Sequence, residues 1–292
     1  MVTVLLNPGA ASAGERKADI EKLFLATRAE ARVVELQPGQ DPAEAARTAA
    51  ADSSIVVAAG GDGTVSRVAA GLVGTPSILG VLPLGTLNHF ARDLGIPFNL
   101  EKAVAAIAGG RVAHVDVGRV NDRVFVNNSS IGIYPGIVEA REELRRQGHR
   151  KWAAFGIATF RFLRHYRGVR VTIDAGGVQT VWRTPFVFVG NNEYDLDGIH
   201  LGRRARLDGG RLFTYLAPRV RARQLPVLLA RALLGRAKRS GEFEIASARE
   251  FWIDTPNARH VRVALDGEIT TMTTPLHYRT CPGTLKVLLP PK

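Results

Sequence analysis

The sequence predicts an α/β N-terminal domain, a parallel sheet with helices on both faces, joined to a mainly antiparallel β C-terminal domain. Three observations carry this reading. Over residues 1–118, short apolar β-type runs alternate with helical stretches, the pattern of a parallel sheet covered by helices. From residue 119 onward, strand-like segments broken by turns such as Ala175-Gly176-Gly177 dominate. A glycine-rich segment, Gly60-Gly61-Asp62-Gly63-Thr64, lies between a strand and a helical stretch, where open α/β sheets form ligand sites. At 292 residues the chain is long enough for two cores. The expected division is 1–118 and 119–278, with the tail 279–292 packing back on the first domain.

Each element has a local cause. Val2–Leu6 is apolar and ends at the turn Asn7-Pro8-Gly9, so it is the first strand. Ile20, Leu23 and Phe24 recur at helical spacing within 15–29, and 32–36 returns to strand character. The alanine-rich stretch 42–51 has Pro42 at a first-turn position of a helix. Ile55-Val56-Val57-Ala58-Ala59 is the third strand, followed by the glycine loop 60–64 and a helix over 65–72. Segment 78–82 is the fourth strand, and Pro83-Leu84-Gly85-Thr86 makes a second glycine turn before a helix at 88–94. Beyond 118 the expected strands are 123–127, 169–174, 180–189, 211–216, 243–253, 260–265 and 284–289. Two basic segments, 138–167 and 219–239, interrupt them.

The composition excludes several classes. One cysteine, Cys281, forms no internal disulfide, and no Cys/His spacing matches a zinc site. The N-terminal apolar stretch is too short and lacks the basic flank of a signal peptide, and the longest helical apolar stretch, 225–235, falls short of a membrane span. A cytoplasmic protein is expected. The formal net charge of +12 draws the chain toward nucleic acid, anionic headgroups or acidic substrates. No nucleic-acid module or aromatic stacking platform is present, so nucleic acid is not an expected partner.

The chemistry concentrates in the loop at 60–64. Backbone N–H groups and a helix N-terminus converge there on negative charge, which suits a phosphate group. Asp62 would repel a bare phosphate, so its presence points to a cation such as Mg²⁺ bridging acid and nucleotide. The turn at Gly85 and Thr86 supplies a second wall of the cleft. Asp266-Gly267-Glu268 follows the strand 260–265 and, taken alone, reads as a β-turn. No Gly-x-Ser-x-Gly elbow or histidine pair supports a nucleophilic mechanism.

Taken together, these motifs resemble the diacylglycerol kinase catalytic-domain family, which includes sphingosine kinases, ceramide kinases and bacterial lipid kinases. The resemblance rests on Asn7-Pro8-Gly9, the 60–64 loop, the block from Pro83 through Asn88, His89 and Asp93 to Pro97, the stretch 125–132, and Asp266-Gly267-Glu268. The loop alone is shared with NAD kinases and phosphofructokinases, whose fold is distantly similar; the 83–97 block favours the lipid branch. The resemblance implies an ATP- and Mg²⁺-dependent kinase acting on a lipid hydroxyl, with Asn7, Gly60, Gly61, Asp62, Gly63, Thr64, Gly85 and Thr86 around the nucleotide. It implies Glu268 as proton acceptor, with Asp62 and Asp266 beside it in the catalytic group. It also implies an acyl-chain site in the β domain, a peripheral membrane location and a homodimer as one assembly.

The chain departs from the family pattern at several points. Val65-Ser66-Arg67 stands where Val-Asn-Glu is common, and His89 where Asp is common. A structural Mg²⁺ site in bacterial members uses Asp-Asp-Gly-Leu; here Leu207-Asp208-Gly209-Gly210-Arg211 leaves Asp208 as the candidate ligand. Within 150–167, Trp152, Phe155, Phe162, Arg161 and Arg164 form an amphipathic pattern suited to an anionic membrane surface, and 219–239 is a second such candidate. A kinase of a soluble hydroxyl compound and a noncatalytic nucleotide- or lipid-binding protein remain the alternatives at the level of sequence.

Overall fold

The computed structural model describes residues 1–9, 13–133, 135, 166, 168–196, 202–234, 241–256 and 258–291. The N-terminal part runs β1 (Val2–Leu6), α1 (Ala13–Ala26), β2 (Ala31–Glu35), α2 (Pro42–Asp52), β3 (Ile55–Gly60), α3 (Asp62–Leu72), β4 (Ile78–Pro83), α4 (His89–Asp93) and α5 (Leu100–Ala108). Strands β2, β1, β3 and β4 are parallel neighbours in that order. Every residue of β1 is buried, which requires cover on both faces. The helix pairs α1 with α5 and α2 with α3 supply that cover. Local caps start these helices where the sequence allows: Asp41 Oδ1 accepts the Ala43 N–H at 2.9 Å ahead of α2, and Asn99 Oδ1 accepts the Lys102 N–H at 2.9 Å ahead of α5.

The remaining strands are β5 (Arg111–Val120), β6 (Arg123–Phe125), β7 (Asn128–Gly132), β8 (Val169–Ala175), β9 (Val178–Thr184), β10 (Phe186–Asn191), β11 (Leu212–Leu216), β12 (Glu244–Ala248), β13 (Glu250–Asp254), β14 (His260–Leu265), β15 (Glu268–Thr273) and β16 (Leu276–Leu289). A helix, α6 (Leu225–Leu233), preceded by a short 3-10 turn at Ala222–Gln224, lies between β11 and β12. A six-stranded antiparallel sheet has the order β12-β11-β10-β7-β14-β15. A ten-stranded sheet continues from β4 through β16, β13, β8 and β9, with β5 joined to β16 and β6 to β5.

The long strand β16 explains how the two halves meet. Its end pairs parallel with β4 through Val287 and Leu79, while Tyr278 to Cys281 and Leu285 to Leu289 pair antiparallel with β5. A register shift between Cys281 and Leu285, at Pro282 and Gly283, lets one strand serve both regions. The expected division at 118 falls inside β5, which runs unbroken to Val120. One apolar core fills the N-terminal region, and a second lies around Phe125, Phe251 and Tyr278.

Several sequence expectations are corrected. The helix after the glycine loop begins at Asp62 rather than 65, with Gly61 as its N-cap. The expected strand 180–189 is two strands: β9 pairs in the large sheet and β10 in the small one, broken at Pro185, which has no N–H to give a ladder. Likewise 243–253 divides at Arg249, with β12 and β13 in different sheets. The expected strand 284–289 is the end of a strand starting at Leu276. Helix α5 and strands β5, β7 and β15 were not anticipated as elements.

Candidate active site

The site forms at the C-terminal ends of β1, β3 and β4. Asn7 leaves β1 with its N–H on the Ala59 carbonyl at 2.9 Å, and its Nδ2 donates to Thr64 Oγ1 at 2.6 Å. Gly60 is required beneath this pair, because a Cβ there would lie 2.7 Å from Thr64 Oγ1. The two glycine turns approach so closely that a Cβ on Gly85 would lie 2.4 Å from Gly61 Cα. Asn88 closes the second turn, accepting the Gly85 N–H at 3.1 Å and donating to the Gly85 carbonyl at 2.7 Å from a left-handed backbone, φ 50°. Thr86 is exposed on that turn.

Asp62, Gly63 and Thr64 therefore form the first turn of α3, where unsatisfied N–H groups and the helix dipole favour an anion. Asp62 Oδ1 is buried and has no hydrogen-bond partner. A carboxylate oxygen held this way is ready to ligate a cation, so the residues fit a Mg²⁺ ion carried by a nucleotide phosphate.

The second sheet brings Glu268 to the same turn. Asp266 and Gly267 both have positive φ, 48° and 93°, as a two-residue hairpin turn of the primed kind requires. The turn starts β15 at Glu268, whose Oε1 lies 3.3 Å from the position a Cβ would take on Gly63. A side chain at position 63 would crowd the carboxylate away from α3. Glu268 remains open to solvent, yet desolvation by the cleft walls raises its carboxyl above the ordinary range, with Arg67 and Arg123 opposing.

Asp266 faces inward. Its Oδ1 accepts the N–H groups of Asn127 at 2.8 Å and Asn128 at 2.9 Å; its Oδ2 accepts the N–H of Val126 at 2.8 Å and the Ser66 hydroxyl. Burial raises its carboxyl, with these donors opposing. Arg67 pairs with Asp41 at 2.6 Å, which accounts for a cation where the family commonly has an acid. Asp93 is committed elsewhere: its Oδ2 receives Arg204 Nε at 2.8 Å, with both side chains almost fully buried. Arg204 also donates to the Val126 carbonyl at 2.7 Å, the Asn191 carbonyl at 3.0 Å and Asn127 Oδ1 at 2.7 Å, pinning α4 to the small sheet.

Asp208 takes no part in these contacts. It is exposed and paired with Arg206 at 3.1 Å. Among the described residues, no group of three or more His, Cys, Asp or Glu is arranged to hold a metal. Segment 207–211 is fastened through Asp116 instead: its Oδ2 accepts the Gly210 N–H at 2.6 Å and Asn192 Nδ2 at 3.2 Å, its Oδ1 the Gly283 N–H at 2.9 Å. The amphipathic stretch 150–167, with Arg161 and Arg164, lies outside the described residues, Tyr166 apart, as do 235–240 of the second basic segment. Sequence reasoning missed Ser66, Asn88, Arg204 and Asp116 as organisers of the cleft; Ser66, in the motif following the glycine loop, and Asn88, inside the 83–97 block, had a local signal, whereas Arg204 and Asp116 had none.

A strand-to-helix phosphate-type turn facing a carboxylate from a second, antiparallel sheet defines the class: a two-part α/β and β protein with a nucleotide-type cleft between its parts. Residues 1–120 match the diacylglycerol kinase catalytic domain, and residues 131–289 match the YegS C-terminal NAD kinase beta sandwich-like domain. A Salmonella gallinarum protein described as "Probable lipid kinase YegS" is 30% identical over 251 residues, covering 81% of this chain and 78% of that one. A Staphylococcus saprophyticus diacylglycerol kinase is 38% identical over 96 residues, a match spanning 32% of either chain, about a third of that relative's length. A solved Bacillus anthracis structure described as a diacylglycerol kinase superposes with a TM-score of 0.73 at 20% identity, over 99% of this chain and 97% of that one. The chain belongs to the family that joins these two domains, the diacylglycerol kinase and YegS-like lipid kinase family.

Proposed function

We propose that this protein is an ATP-dependent lipid kinase, transferring the γ-phosphoryl group to a hydroxyl of a membrane lipid such as diacylglycerol, a sphingolipid or phosphatidylglycerol. The observation that carries the proposal is the Glu268 carboxylate set against Gly63 in the first turn of α3, beside the unpartnered Asp62 oxygen. Phosphoryl transfer asks for positioning, charge neutralisation and a group to take the hydroxyl proton. In the proposed reaction, the acceptor hydroxyl gives its proton to Glu268 as its oxygen bonds to the γ-phosphorus, and the bond to the β–γ bridging oxygen breaks to release ADP. The N–H groups at the start of α3 hold the phosphates, and Asp62 would hold Mg²⁺. When bound, Mg²⁺ neutralises charge on the phosphate oxygens.

Access to a bilayer-embedded substrate is supported by α6. Val227, Leu233 and Leu234 are exposed there, among Arg221, Arg223 and Arg231. Exposed apolar side chains flanked by arginines suit an anionic membrane surface. Among the described residues no helix is long and apolar enough to cross a membrane. Changing Leu233 and Leu234 to Ser should weaken sedimentation with phosphatidylglycerol vesicles; unchanged sedimentation would remove α6 from this role.

The test of the main proposal is transfer of labelled phosphate from ATP with Mg²⁺ to a total lipid extract in mixed micelles. Glu268→Gln should lower kcat by about 10²–10⁴-fold with ATP binding retained. The raised Glu268 carboxyl places the ascending limb of the wild-type rate above the ordinary carboxylate range, because the base must be deprotonated to act, and that limb should vanish in the variant. Full turnover by Glu268→Gln would sink the assignment. Labelling confined to soluble compounds would redirect the acceptor to that class.

A further inference from the structure

The hairpin that carries Glu268 and the helix that carries Asp62 belong to different sheets, and their relative position needs a physical cause. Glu268 Oε1 faces the place a Cβ of Gly63 would take, and no hydrogen bond holds it there. A directional bond joins the same two elements at Ser66 and Asp266, residues 200 apart in sequence. Ser66 is buried, 8% exposed, and its hydroxyl donates to Asp266 Oδ2. The other three donors to that carboxylate are the consecutive N–H groups of Val126, Asn127 and Asn128, and the Asp266 N–H returns to the Asn128 carbonyl at 2.9 Å. Each carboxylate oxygen accepts two bonds, so Asp266 is filled by the frame around it.

Ser66 stands one helical turn after Asp62 on the same side of α3, as Arg67 stands one turn after Gly63. Four residues of α-helix span about 6 Å, so a bond at Ser66 fixes both the rotation and the axial position of the helix end that holds Asp62. Resting on the kinase reading above, we propose that Ser66 is a positioning residue: its bond to Asp266 sets the approach of the Glu268 carboxylate to the N-terminus of α3. The hydroxyl touches neither phosphate nor acceptor. It acts through the turn, and it stands where the family commonly carries a longer amide.

The experiment compares Ser66→Ala and Ser66→Thr in the full chain. Ser66→Ala should lower kcat about tenfold to a hundredfold and leave KM for ATP within about twofold, since misplacement near 1 Å costs rate before it costs binding. Ser66→Thr keeps the hydroxyl and should recover kcat to within about threefold of wild type. Hydrogen exchange should quicken at the amides of 126–128 and 266–268 in Ser66→Ala alone. Wild-type kcat in Ser66→Ala, a loss confined to KM for ATP, or a Thr variant no better than Ala would each overturn the positioning role. A wild-type protein that binds ATP but transfers no phosphate would overturn the kinase reading and this role together; unchanged exchange in Ser66→Ala would overturn the latch by itself.

Discussion

The start of α3 and the junction of β5 with β16 each hold an acid with buried carboxylate oxygen, one oxygen of half-buried Asp62 and the whole group of Asp116, and the two are treated in opposite ways. Asp116 in β5 is 2% exposed and accepts from Gly210, Asn192 and Gly283. Asp62 keeps a buried oxygen with no partner. A buried acceptor left unsatisfied costs about 1–3 kcal/mol, so a folded chain fills most such atoms, and one left open at the mouth of a helix N-terminus is suited to a ligand. The difference separates a joint, complete in itself, from a site that a ligand completes.

Substitutions at the two acids can break that comparison. The largest effect is expected for Asp62→Asn: phosphoryl transfer should fall about 10²–10³-fold with the melting temperature unchanged or raised, since no internal bond is lost. A clear loss of stability in calorimetry would make Asp62 a joint like Asp116. Next, Asp116→Ala strands the Gly210 and Gly283 N–H groups and the Asn192 amide. It should cost about 2–4 kcal/mol, read as a drop in melting temperature of roughly 5–10 °C. An unaltered melting curve would show that the junction does not depend on this carboxylate. The smallest effect belongs to Asp208→Asn, which removes an exposed pair with Arg206 and should change stability by less than about 0.5 kcal/mol, with or without Mg²⁺. A Mg²⁺-dependent loss of stability there would restore Asp208 as a metal ligand.

The parts legible in the sequence are those with a local cause. Strands β3 and β4 are continuous apolar runs closed by glycine and proline, β1 is apolar but for Thr3 and runs into Asn7-Pro8, and α2 carries its own cap at Asp41. Asn7, Gly60, Gly61, Asp62, Gly63, Thr64 and Gly85 meet because each ends or follows one of these adjacent parallel strands. Glu268 was recognised through its motif rather than through any spacing relative to Asp62. The halves of 180–189 and 243–253 look continuous in composition, and only their pairing partners reveal that each crosses between sheets at Pro185 and Arg249.

The alternation of strands and helices, the anion-favouring turn at 60–64 and the β-turn at 266–268 were legible in the residues themselves, because periodicity, backbone freedom and turn chemistry act over a few residues. That Ser66 meets Asp266, that Arg204 is buried on Asp93, and that Asp116 gathers donors from three segments follow from long-range packing alone. Those bonds join residues 200, 111 and up to 167 positions apart. No local pattern specifies such partners; they are selected when the two sheets pack together and most buried polar groups find a bond across the packing.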